Sequence, residues 1–195
     1  MASKNEIAVR ALSKLGQPRV SNIETDSTTN AIVLRDMYDV VRDALVASYP
    51  WNFAIKRAQL AKDSISPAWG YNNSFTLPVD FLALLEIKSN PDYRIESGAI
   101  VTNASAPLYI KYIRQVTEAG DFNPLFAEAF ATKLAYEACD KIVESNTKKQ
   151  ILFQEFKDLI REAYASDAIQ DPPELLPDNE WIIARNSGSD EIDYG

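Results

Sequence analysis

Phe81-Leu82-Ala83-Leu84-Leu85-Glu86-Ile87 and Leu108-Tyr109-Ile110-Lys111-Tyr112-Ile113 decide the fold class. The first is a continuous apolar run of strand length, suited to a buried strand. In the second, Leu108, Ile110 and Tyr112 alternate with Tyr109, Lys111 and Ile113, the two-residue period of a strand. Between them Tyr93 and Ile95 alternate with charges, Ser97-Gly98 suits a two-residue hairpin turn, and Ala99-Ile100-Val101 returns. Phe75-Thr76-Leu77, ended by Pro78, adds one more short strand ahead of them. Residues 67–116 therefore read as a small antiparallel β-subdomain.

Outward from this segment, both flanks change to helical period. Ser3 and Glu6 have capping-box spacing, Ile7, Ala8, Ala11, Leu12 and Leu15 form a stripe, and Gly16 with Pro18 stops it. Val20 and Ile23 anchor the polar loop that follows. A longer helix starts near Ser27-Thr28-Thr29, with Ala31, Leu34, Tyr38, Val41 and Leu45 on one face and Arg35, Asp36, Asp39, Arg42 and Asp43 on the other. The interleaved arginines favour a solvated ion-paired face over a metal or acid–base cluster. Pro50 closes this helix, and Trp51-Asn52-Phe53-Ala54-Ile55 reads equally as a helical turn or a strand.

On the other side, Asn123-Pro124 starts a helix whose Phe126, Phe130, Leu134, Ala127, Ala131, Ala135 and Ala138 permit close helix–helix approach. A last helix, about 147–169, buries Leu152, Phe156, Leu159 and Ala163, with Phe153 and Ile160 beside them. The expected architecture is α+β, mainly α. Residues 1–66 and 117–170 form a helical bundle, 67–116 the inserted β-subdomain and 171–195 an acidic extended arm.

Composition removes much chemistry. The chain has 195 residues, no His and one Cys, at a formal net charge of −8. Without His there is no Ser-His-Asp or Cys-His catalysis and no zinc-protease motif. Cys139 alone makes no disulfide or thiolate cluster and reads as a small core residue. The six glycines allow neither a phosphate loop nor a dinucleotide fingerprint, and no cofactor or metal site is expected. The remaining enzymatic option, a carboxylate pair of the glycosidase kind, has Glu24 with Asp26 and Asp80 with Glu86 as candidates. Any chain with this many acids offers such pairs, so surface carboxylates are the favoured reading and no catalytic residue is assigned. No targeting or membrane-spanning segment is expected, since Phe81-Leu82-Ala83-Leu84-Leu85 is far too short to span a bilayer.

The acidity is localised. Residues 171–195 hold seven acids against Arg185 and so supply −6 of the −8. Nucleic-acid grips carry basic patches, and none is visible. Within this tail, Pro172, Pro173 and Pro177 favour extended backbone, yet Trp181, Ile182 and Ile183 form an apolar patch. Partner binding is the favoured role for Trp181, Ile182 and Ile183, and packing back on the chain's own domain is the alternative. Trp51, Phe53, Trp69, Tyr71 and Phe75 cluster in sequence between the helical and β parts. They read as a mixed core fixing the angle between those parts, in preference to a ligand platform.

Ala11-Leu12-Ser13-Lys14-Leu15-Gly16 comes first, then Tyr38-Asp39-Val40-Val41-Arg42-Asp43-Ala44-Leu45 leading into Pro50-Trp51-Asn52-Phe53-Ala54. Leu77-Pro78-Val79-Asp80-Phe81 and Phe122-Asn123-Pro124-Leu125-Phe126 complete the series. In this order the stretches resemble the head-to-tail adaptor family of tailed bacteriophages, of the tail tubular protein A type, over about residues 5–165. The Asp-Ala-Leu…Pro-Trp-Asn-Phe-Ala string is the most specific part. The resemblance implies a structural virion protein, assembled in the host cytoplasm into a homo-oligomeric ring of roughly twelve copies beneath the portal protein. Such a ring continues the DNA channel and receives the tail nozzle or tube protein, with tail fibres as further candidate neighbours. Its lumen passes DNA without specific binding. Some adaptor relatives are credited with glycan or cell-wall degradation. A tail-associated carboxylate-dependent glycan hydrolase is therefore the alternative, although no motif here carries that activity over.

Overall fold

Why each helix begins and ends where it does is visible in its caps. A computed structural model describes residues 2–170 of the chain. Helix α1 (Lys4–Leu15) opens on the expected capping box: Ser3 Oγ accepts from the Glu6 N–H, and Glu6 Oε2 accepts from the Ser3 N–H at 2.8 Å. It closes on Gly16 at φ 73°, a left-handed cap that L side chains enter at a cost. All five stripe residues are buried, as are Val20 and Ile23 in the loop. Helix α2 (Thr29–Ala47) is capped by Thr28. Helix α3 (Pro124–Ile142) has Asn123 at its cap and Pro124 in its first turn, and helix α4 (Asn146–Ile169) has Ser145.

Helix α3 is the axis of the bundle. It packs against α1, α2 and α4, so Phe126, Phe130, Leu134 and the expected alanines are all buried, together with Cys139. The small side chains let three helices approach one. On α4, Leu152, Ile160 and Ala163 are buried, whereas Phe156 and Leu159 are half-buried and Phe153 is exposed. The buried row is thus rotated from the one expected.

The strands lie between α2 and α3 in sequence. A 3-10 turn at Asn52–Ala54 leads directly into β1 (Ile55–Leu60), so the ambiguous segment is a turn and then a strand. Next come β2 (Asn73–Thr76), β3 (Phe81–Ile87), β4 (Tyr93–Glu96), β5 (Ala99–Thr102) and β6 (Leu108–Arg114). A boundary at residue 67 leaves β1 on the wrong side: the β part takes in 55–60 as well. Its pairing partner β6 lies some fifty residues away, which no local period reveals.

There are two antiparallel three-stranded sheets, ordered β1-β6-β3 and β2-β5-β4. Ser97 at φ 50° and Gly98 at φ 76° form the hairpin turn between β4 and β5, with both central residues left-handed as that tight turn requires. The sheets share a core of Phe75 and Ile100 against Leu60, Ile87, Leu108, Ile110 and Tyr112. A second, larger core holds the helices together with Ile113 and Val116.

Strand β3 departs from the fully buried strand expected. Only Ile87 is buried, while Leu85 and Glu86 are exposed. It is an edge strand with two register shifts against β6. Leu82 and Ala83 reach the helical core, and Phe81 and Leu84 reach the sheet core. Its apolar run is continuous because two cores draw on it. The fold is α+β and mainly α, and the arm at 171–195 lies outside the described residues.

Candidate interaction surfaces

Trp51 anchors the junction between helices and strands. Its indole is fully buried, with ring centroids 4.9 Å from Tyr49, 4.9 Å from Phe126 and 5.1 Å from Tyr164, and Nε1 donates to the Leu45 carbonyl at 3.3 Å. Phe53 continues the cluster towards Phe122 and Phe126 at 5.7 and 5.0 Å. Each such pair adds roughly 0.5–1.5 kcal/mol beyond its buried area and resists rotation of one ring past another.

Polar ties fix the same place. The Asn52 N–H donates to both Asp167 carboxylate oxygens, at 3.1 and 3.3 Å, and Asn52 Nδ2 donates to the Asp167 carbonyl at 2.8 Å. The end of α4 is thereby pinned to the turn that starts β1. Asp43 accepts from Arg42 Nε at 2.8 Å and from Gln115 Nε2 at 2.7 Å, joining α2 to the exit of β6.

Three of the five aromatics expected here are elsewhere. Phe75 is in the sheet core, the Tyr71 hydroxyl donates to Asp92 at 3.3 Å, and Trp69 is 87% exposed in the β1–β2 loop. Sequence proximity to the junction did not bring them to it, because β1 carries the chain away from the helices first. The aromatics of α3 and α4 take their place. Arg42, expected on a solvated face, is only 5% exposed and pairs with Asp39 at 2.7 Å. Arg35 donates instead to the Glu24 and Asp26 carbonyls, at 2.6 and 3.2 Å.

Three of the four candidate carboxylates, Glu24, Asp26 and Asp80, are structural ties, and Glu86 is exposed on β3. Glu24 binds Lys4 at 2.6 Å, and this bond holds its carboxyl below the usual range. Asp26 accepts from the Thr28 N–H at 2.9 Å, which lowers its carboxyl likewise. At Asp80 partial burial opposes ionisation, but the Lys56 ammonium and the Tyr112 hydroxyl, each at 2.8 Å, outweigh it and hold the carboxyl low. A general acid needs the opposite shift. Asp80 precedes β3 and Glu86 is near its far end, roughly 20 Å away at about 3.3 Å per residue. Glycosidase pairs sit roughly 5–9.5 Å apart. Among the described residues no three His, Cys, Asp or Glu side chains gather to hold a metal ion. None of the helices described is long and apolar enough to cross a membrane.

Among the described residues, apolar side chains are open to solvent on both the β and the helical parts. Ile65, Trp69 and Val79 stand out from the β-part loops, each more than 80% exposed. On the helical side, α2 and α4 diverge over α3 and leave a groove of about 680 Å³. Met37, Val40 and Val41 line one wall, Phe156, Ile160 and Tyr164 the other, and Lys133 reaches in from α3. Val40 is 70% exposed. The signal was present in the sequence, since Met37, Val40, Val41 and Ala44 form a second apolar row on α2 beside the buried one. Trp181, Ile182 and Ile183 lie outside the described residues.

No protein-family model matches the chain, and no curated protein does.

Proposed function

We propose that the chain is a structural adaptor of tailed-phage particles, a ring-forming subunit that joins a portal to a tail nozzle or tube and continues the DNA channel. The observation that carries this reading is where the resembling residues lie. Asp43, Trp51, Asn52 and Phe53, from the most specific string, build the junction that ties α2 and α4 to the first sheet. A subunit that works by geometry needs its two halves held at a fixed angle. Here an aromatic cluster and two polar ties do that.

The charge distribution supports the same reading. Outside the acidic tail the chain is nearly neutral, and a neutral lumen lets DNA slide where a basic one would retain it. Exposed apolar residues on the β loops offer a contact for a neighbour of such a ring. The arm, with Trp181, Ile182 and Ile183, then serves as a clamp on the portal or on an adjacent subunit.

Light scattering on the protein alone and mixed with its cognate portal ring tests this. The expected result is a complex heavier than the portal by about one copy per portal subunit. No association with an intact portal would refute the adaptor role.

A further inference from the structure

The groove between α2 and α4 has one end beside the place where the described chain stops. Tyr164 closes that end, its ring 4.3 Å from Tyr49. The groove's other end, at Asp36, is twelve residues back along α2 from Ser48, or about 18 Å at 1.5 Å per residue. We infer that this groove is the resting seat of the chain's own segment 180–185, with Trp181, Ile182 and Ile183 against its apolar walls.

Length and exit point fit. Helix α4 ends at Ile169, and Gln170 follows six residues after Tyr164, a distance of about 9 Å along the helix. Residues 171–180 reach up to about 33–36 Å when extended, enough to turn back and enter the near end. Residues 180–185 span about 17 Å when extended, close to the length of the groove.

The charges match in order as well. Glu180 precedes the apolar triplet and Arg185 follows it. Lys133 reaches into the groove, its ammonium 5.4 Å from the Phe156 ring centroid and paired with Glu137 at 2.8 Å. The start of α3 lies by Trp51 and the middle of α2 by Phe130. Lys133 is thus nearer the exit end, and Glu137 and Asp36 are farther along. A segment entering from the exit meets Lys133 with Glu180 and then Asp36 and Glu137 with Arg185. The Lys133 ammonium also stands where an indole face would find a cation.

The inference does not rest on the adaptor reading, because the protein alone tests it. In the full chain labelled with 5-fluorotryptophan, three fluorine resonances arise, assigned by Trp181→Phe and Trp69→Phe. Trp51, fully buried, and Trp69, 87% exposed, calibrate the shift between H2O and D2O. The Trp181 resonance is expected near the Trp51 end of that scale at every protein concentration. It should move to the Trp69 end in Val40→Glu while Trp51 keeps its position. A nitroxide on Val40→Cys supplies the second measurement and is expected to broaden the Trp181 line strongly. Three results would overturn the inference: a Trp181 resonance exposed from the start, protection lost on dilution (an adjacent copy's groove), or an unbroadened Trp181 line.

Discussion

Replacing Tyr38 by Phe should stabilise this protein. The Tyr38 ring is 1% exposed and meets Phe130 edge-on at 4.9 Å, with the Lys4 ammonium over its face at 4.9 Å. Phe keeps all of these contacts. The hydroxyl, however, is buried with no hydrogen-bond partner among the described residues. An unsatisfied buried hydroxyl costs about 1–3 kcal/mol. Removing it leaves a void of roughly 10–15 Å³, which at about 24 cal/mol per Å³ takes back about 0.3 kcal/mol. The net expectation is a gain of about 1 kcal/mol, or a melting temperature higher by about 2–4 °C for a chain of this size.

Tyr38→Phe carries a pH signature too. Burial, opposed by Arg42, pushes the Tyr38 phenol well above the ordinary value of 10.0. Above pH 10 the unfolded chain releases this proton and the native chain retains it, so wild type loses stability there through a group that the variant lacks. The gap in urea-unfolding free energy should therefore be constant from pH 7 to 9 and widen by about 1.4 kcal/mol per unit above 10. A destabilised variant, or a gap that fails to widen, would refute the orphan-hydroxyl account.

Asp167→Ala removes the acceptor for the Asn52 N–H and should cost about 1–3 kcal/mol; an unchanged urea midpoint would show the tie to be incidental. Gly98→Ala meets no atom within 4 Å but must hold φ +76°, so backbone strain alone should cost about 1–2 kcal/mol in thermal melts. At Glu128 partial burial raises the carboxyl pKa, but Lys14 and Arg10 overcome it and hold it below the ordinary 4.5. Glu128→Gln should therefore cost about 1 kcal/mol at pH 7, and the deficit should shrink as pH falls below about 4.5 through the lower native value. Equal deficits at pH 3 and 7 would contradict that. Deleting 171–195 should leave the circular dichroism of the body intact but abolish portal docking, while normal docking by the truncated chain would discard the clamp.

What the sequence disclosed was mostly local. Ser3 with Glu6, Thr28, Asn123-Pro124 and Ser97-Gly98 each specify their own few residues, and the structure has each where its chemistry puts it. What stayed hidden depended on distant partners. Strand β1 has little apolar pattern because its place comes from six pairs with β6. Arg42 looked solvated because its neighbours alternate in charge, yet tertiary packing buries it beside Asp43, which Gln115 also ties down. Trp69 looked like core because of its type, and the loop holds it in solvent. The apolar row Met37, Val40, Val41 and Ala44 is legible on α2, but that it walls a groove shows only once two helices are known to diverge over a third. The apolar patch at 181–183 was the reverse case, conspicuous in sequence and beyond the described residues.

Strand β6 gives Ile113 to the helical core and Leu108, Ile110 and Tyr112 to the sheet core. One seven-residue strand is thus stitched into both. Loosening either core pulls on the other through a covalent backbone that is hydrogen-bonded on both sides, to β1 and β3. The two halves should accordingly share one unfolding event, although each buries its own interior. A load applied to the β loops reaches the helices along this braced central strand and not through a hinge.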